Sequence, residues 1–308
     1  MTSEATMEID ARASDLLVGA IDPHVHSGPS IAQRSLDHLE LARAASQAGL
    51  AAIVTKDHDY AGVMTAALIA RHHPELTTRV YSGIALNNVV GGLNPYAVEH
   101  TAAMGGKIVW LPTLAADNHF RWEKTSGQVH PASTQKIRPA SPVPVLNGDG
   151  TVRDDAKEIL DIVARTGMAL ASGHLHVSET WKVFEEARKR GVERLILTHP
   201  EEIVDASLED VAGLARLGAM VEHSLGMFLE GCKYKSREPE DLRDLIEAAG
   251  VDNTIMCSDL GQMGVFHPVD GLWRGIRLCI DLGYSDNEIR KMFSTNTARV
   301  LGIDEQTC

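Results

Sequence analysis

Five residues near the start of this chain carry its strongest chemical signal: Asp22-Pro23-His24-Val25-His26. An apolar segment, 16–21, precedes them and reads as a buried strand. Side chains alternate faces along a strand, so His24 and His26 point the same way at its C-terminal end. One strand can thus offer two imidazoles to one metal ion. Neutral imidazole and carboxylate are the ligands that a divalent transition metal prefers. Other apolar segments end in the same residue types. After the second come Lys56, Asp57 and His58; after the fifth, His174 and His176; after the sixth, His199; after the seventh, Glu222 and His223; after the eighth, Asp259. An aspartate beside a metal can also take a proton from water there.

These residues lie far apart in sequence, so the fold must bring them together. Apolar strands are expected at 16–21, 51–55, 78–85, 107–111, 168–172, 194–198, 219–222 and 254–258. Amphipathic helices are expected at 36–48, 63–72, 96–104, 154–165, 179–189, 208–216, 238–249 and 271–282, with a last helical stretch at 286–301. Gly49, Gly105, Gly167, Gly191, Gly218 and Gly250 stand where helices stop. Eight strands, each followed by a helix, predict an α/β protein with a (β/α)8 TIM barrel, whose strand ends ring one mouth. A doubly wound sheet is the alternative, but no GxGxxG follows the first strand. Residues 115–152 break the rhythm. They hold Pro131, Pro139, Pro142 and Pro144 and the cations Arg121, Lys124, Lys136 and Arg138. A long loop or lid inserted after strand 4 is expected there. Residues 1–13 are polar and acidic and are expected to form a flexible tail, leaving 1–308 as a single barrel domain.

Composition bounds the partners. The chain has 308 residues, 44 % hydrophobic and 23 % charged, which suits a globular protein with an ample core. A net charge of −13 argues against nucleic acid or an anionic membrane as the main partner. Cys232, Cys257, Cys279 and Cys308 form no CxxC pair and read as reduced thiols in a cytoplasmic protein. No apolar run reaches the length of a membrane span. A small-molecule substrate and a homo-oligomer are expected.

The ordered set resembles the amidohydrolase superfamily of metal-dependent hydrolases. The matching residues are Asp22-Pro23-His24-Val25-His26, Ser172-Gly173-His174, Thr198-His199-Pro200, Ser258-Asp259 and the closing segment Ser294-Thr295-Asn296-Thr297-Ala298-Arg299-Val300-Leu301-Gly302. The resemblance implies a barrel with one or two divalent metals, usually zinc, in some members manganese, iron or nickel. It implies that His24 and His26 bind the more buried metal, that His174 and His199 bind the second, and that Asp259 is ligand and proton shuttle. Two-metal members carry a bridging carboxylated lysine or glutamate after strand 4. Here the better-placed lysine is Lys56 after strand 2, either a relocated bridge or a cation that orients an anionic substrate.

The expected activity is hydrolysis of an amide, lactone or ester in a small substrate, with His199 or His223 donating to the developing oxyanion. Lys56, His58, Arg34, Arg121 and His176 are the candidate substrate contacts. Three other readings stay open. A single-metal decarboxylase or C–C lyase of the same superfamily needs no bridging lysine, and Lys56 or Arg34 would then hold the substrate carboxylate. The stretch 52–59 also looks like the second motif of the polymerase-and-histidinol-phosphatase phosphoesterases. A non-catalytic amidohydrolase-like subunit is the third.

Overall fold

In the computed structural model, residues 3–127, 133 and 135–303 are described. Eight strands run in chain order around one sheet: β1 (Ile21–Val25), β2 (Ala52–Thr55), β3 (Arg79–Ala85), β4 (Ile108–Trp110), β5 (Ala169–Ala171), β6 (Leu195–Thr198), β7 (Ala219–Ser224) and β8 (Thr254–Cys257). Each pairs in parallel with the next. The seam between β8 and β1 is drawn together by His26 N–H donating to Leu260 O at 2.8 Å and Asp259 N–H to His24 O at 3.0 Å. The result is a nearly closed (β/α)8 barrel.

The pleat sorts the strand side chains into two cores. Ile21, Ala52, Val54, Ala85, Trp110, Ala171, Ile196, Met220 and Ile255 pack together in the barrel interior. The alternate residues, such as Ile53, Val109, Leu170, Leu197, Val221 and Met256, pack outward with the helices. Small interior alanines leave room for the large ring of Trp110. This parity decides which strand-end residues can reach the mouth.

Helices α1 (Ser3–Leu17), α2 (His38–Gln47), α3 (Val63–His72), α4 (Pro95–Ala103), α5 (Asp117–Ser126), α6 (Asp154–Thr166), α7 (Val177–Lys189), α8 (Leu208–Arg216), α9 (Pro239–Ala249), α10 (Pro268–Asp281), α11 (Asp286–Arg290) and α12 (Asn296–Leu301) complete the chain, with a π-helical turn at Lys291–Thr295. The α12 segment plugs the N-terminal end of the barrel. Asn296 Nδ2 donates to the carbonyls of Val251 and Thr254, each at 2.8 Å, and Ser294 Oγ to Gly19 O at 2.8 Å. Ala298, Val300 and Leu301 join the interior core. That is the structural task of the closing motif.

Three expectations are corrected. The tail expected over 1–13 forms α1 from Ser3. Its apolar residues Ala13, Leu16 and Leu17 are buried, and Arg12 pairs with Asp286 at 2.6 Å while Asp10 pairs with Arg277 at 3.1 Å. The polar composition hid that narrow apolar stripe. Leu16 and Leu17 therefore belong to α1, and β1 begins at Ile21 and runs through the histidines. Its register against β2 slips between Asp22 and Val25. This irregularity at Pro23 turns His24 inward and Val25 outward, against the parity set by Ile21. Finally, the long loop after β4 contains α5, capped by Gly127 at φ 70°. Pro131 and Cys308 lie outside the described residues. Cys232, Cys257 and Cys279 are free and buried. Among the described residues no helix is long and apolar enough to cross a membrane.

Candidate functional site

The strand ends open into a cavity of about 840 Å³ at the C-terminal mouth of the barrel. At its floor His24, His26, Lys56 and Asp259 converge. Asp259 Oδ1 lies 3.0 Å from His26 Nε2 and 3.2 Å from His24 Nε2, and Lys56 Nζ lies 3.0 Å from His24 Nε2. Two glycines permit the close approach of the loops. A side chain at Gly261 (φ +117°) would bring its Cβ within 1.6 Å of His26 O, and one at Gly173 (φ +60°) within 2.2 Å of Leu111 O.

The far nitrogens of both rings are spoken for. His24 Nδ1 donates to Glu222 Oε1 at 2.9 Å, and His26 Nδ1 to the Lys56 carbonyl at 2.9 Å. Both partners accept only, so both Nδ1 atoms carry the proton and both Nε2 atoms present lone pairs. Burial, with Arg34 adding to it, pushes the His26 imidazole down to about 3. Burial also lowers His199. For Asp259, burial would raise the carboxyl; protons on His24, His26 and His199 would outweigh it and hold the group well below its ordinary value, but with those rings neutral another cation must take their place. Two imidazole lone pairs and an ionised oxygen about 3 Å apart repel one another unless a cation stands between them. The donor set therefore fits a divalent metal ion, and the same three residues form a ligand cluster within 4.8 Å.

Asp259 is held for this task. Its backbone takes φ 50°, its N–H bonds His24 O, its Oδ2 accepts from Ser224 Oγ at 3.0 Å, and its carbonyl accepts from Gln262 Nε2 at 3.0 Å. Asp22 works below the site. It accepts from Ser258 Oγ at 2.5 Å, Ser258 N at 3.1 Å and His24 N at 3.2 Å, tying β8 to β1. Burial raises its carboxyl to about 7 despite these bonds.

A second group of imidazoles stands beside the first. The His174 and His199 rings are 5.0 Å apart, and His199 is 6.0 Å from His24. His58 stacks on His26 at 5.1 Å and bonds Thr113 Oγ1 through Nδ1 at 2.9 Å. Arg34 lines the wall, as do Lys136 and Arg138. Other expected residues stand elsewhere. His176 caps α7, bonding Ser178, and faces Asp205 at 3.6 Å. Arg121 is exposed on α5 and pairs with Asp117 at 2.6 Å. His223 follows Glu222 on β7 and so faces outward, where it bonds Glu201 at 2.6 Å.

Glu222, named in the sequence only as a strand-end residue, sets the tautomer of His24. Other residues with a role here were missed in the sequence. On α5, Asn118 Nδ2 donates to the carbonyls of His174 (3.1 Å) and Ile203 (2.6 Å), and His119 Nδ1 lies 3.0 Å from His174 Nδ1. Asn87 bonds His58 O and Thr113 from the end of β3. These are local polar contacts between loops, and periodicity carries no trace of them. Glu222 differs: it sits two residues beyond Met220 on the interior parity of β7, which turns its side chain towards the site.

Comparisons with known proteins agree with the barrel. The chain is similar in structure to an amidohydrolase from Pseudomonas aeruginosa, with a TM-score of 0.65 and 14 % identity over 95 % of this chain and 98 % of that one. It is equally similar to the probable dipeptidase PvdM from the same organism, with a TM-score of 0.65 and 12 % identity over 98 % and 100 %. An organophosphorus hydrolase from Deinococcus radiodurans follows, with a TM-score of 0.58 and 14 % identity over 94 % of each chain. At these identities the likeness is one of fold. No curated protein matches the sequence. A family model does match, over residues 19–222, a span that holds β1 to β6, the first part of β7 and both histidine groups. The chain belongs to that family, DUF6282, a family of unknown function.

Proposed function

We propose that the chain is a metal-dependent hydrolase that cleaves an amide, lactone or ester in a small anionic substrate. One observation carries the reading: Asp259 Oδ1 and the Nε2 lone pairs of His24 and His26 meet at 3.0–3.2 Å on the cavity floor. His24, His26 and Asp259 would hold the ion, for which zinc best suits the nitrogen-rich set. When bound, such an ion supplies Lewis acidity and makes water at the site more acidic. Asp259 accepts the proton from that water and passes it to the leaving group. His199, kept neutral by burial, faces the same space and can hydrogen-bond the oxygen on which charge develops. The wall supports the substrate class. Arg34 Nε is buried in the cavity lining and has no hydrogen-bond partner among the described residues. A substrate carboxylate would supply the acceptors that this guanidinium lacks. Phe120, Trp122 and Ile137 offer an apolar surface to the rest of the molecule.

The test is a panel of N-acyl amino acids and carboxylated lactones, each paired with its methyl ester, presented to zinc-loaded protein. Chelator-sensitive hydrolysis is expected, faster for the free acids. Arg34→Met should remove that preference by about 10–100-fold in kcat/KM, the worth of a hydrogen bond to a charged group. Release of carbon dioxide without incorporation of water would replace this reading with the decarboxylase.

A further inference from the structure

His199 faces the cavity against the parity of its own strand. On β6, Ile196 belongs to the interior core and Leu195 and Leu197 to the outer one. Residue 199 follows Leu197 and should turn outward, towards the helices. It turns inward because its backbone takes φ 24°, in the left-handed region. This is costly for any side chain with a Cβ, and a following proline, here Pro200, disfavours it further. The ring does not supply the compensation. His199 Nδ1 is buried and makes no hydrogen bond among the described residues, whereas ring nitrogens of this kind are ordinarily fixed by such a bond.

The compensation lies two residues on. Glu201 Oε1 accepts from His223 Nδ1 at 2.6 Å, with both side chains fully buried. The Glu201 carbonyl accepts from Arg237 Nη2. His223 belongs to the ladder of β7, which pairs along its length with β6 and β8. Glu201 is thus anchored to the barrel wall by its side chain and to the segment before α9 by its backbone. The chain from Thr198 to Glu201 is fixed at both ends.

We propose that Glu201, His223 and Arg237 form a clamp that holds His199 in its left-handed conformation and keeps its imidazole in the cavity. They are positioning residues, and the outward turn of His223 is what lets it serve. The proposal rests on the reading above only for what His199 does once it is there. Whether the clamp holds the ring is a property of the metal-free protein.

The test has two readouts. Crystal structures of metal-free Glu201→Leu and Glu201→Gln report the ring directly. The leucine variant should relax residue 199 to negative φ and swing the ring out. The glutamine variant keeps an acceptor for His223 and should leave the ring in place. His223→Asn, whose amide replaces the Nδ1 donor, should behave as Glu201→Gln does. Zinc titration is the second readout. Glu201→Leu should lose about 10–100-fold in affinity for a second ion, the one that the resemblance gives to His174 and His199, and Glu201→Gln should restore most of it. If Glu201→Leu does not fold, Arg237→Met releases only the backbone anchor and should move both readouts the same way. An unchanged φ and an unchanged zinc affinity in either folded variant would overturn the clamp. A displaced ring in the variant, beside a zinc-loaded wild type that hydrolyses none of the panel, would uphold the clamp and sink the hydrolase.

Discussion

Asp259→Asn is expected to lower kcat by about 10²–10⁴-fold, the usual contribution of a positioned acid–base group, with little change in the melting temperature. The amide would keep the size of the side chain, an acceptor oxygen for the imidazole side and a partner for Ser224 Oγ, which donates at 3.0 Å in the native site. Asparagine also tolerates the φ of 50° at this position. What it lacks is the negative charge, and with it the ability to take up a proton. Fold and cavity survive while the proton route is lost. Rate measurements on a cleaved member of the substrate panel, beside a thermal melt, check this. A variant within tenfold of the wild type would exclude Asp259 as the proton carrier.

Lys56→Met should lower activity by about 10–100-fold, and formate or acetate should restore part of it. Lys56 Nζ is fully buried 3.0 Å from His24 Nε2, the lone pair assigned to the metal, and 5.6 Å from the Trp110 ring centroid. Burial pushes its amine below the ordinary lysine value. An ammonium beside a divalent ion would be repelled by several kcal/mol, since two unit charges 4 Å apart already interact by about 4 kcal/mol at an effective dielectric of 20. We propose that the neutral amine takes up carbon dioxide and releases a proton; the anionic carbamate would turn this repulsion into attraction and offer oxygen ligands. β4 supplies no such group at this point, where Trp110 fills the barrel instead. The rescue by small carboxylates distinguishes the two roles. A lysine that acts as a cation on the substrate would be rescued by alkylamines, and that outcome would contradict the carbamate.

The barrel was legible because each strand is a short apolar run between glycine-stopped helices, and that pattern depends on burial alone. His24, His26 and Asp259 were legible for a related reason: strand ends of a parallel barrel meet at one mouth wherever their residues lie in sequence. Parity was harder to read. The slip at Pro23 and the positive φ at His199 both reverse the face that alternation assigns, and neither leaves a mark in composition. His223 was misplaced for the opposite reason: it obeys the alternation, and its type fits the site but its pleat position faces the helices. α5 was missed because its buried side is Asn118 and His119 rather than aliphatic residues. Its inward residues answer to the polar site they contact, so no apolar period is written there.

The central claim is that His24, His26 and Asp259 form a metal centre. Zinc titration of chelator-stripped protein, followed by dialysis and elemental analysis, tests it most directly. At least one equivalent should remain bound to the wild type and none at this site in the His24→Ala/His26→Ala double variant. A wild type that retains no zinc, manganese, iron or nickel, or a double variant that retains as much as the wild type, would contradict it.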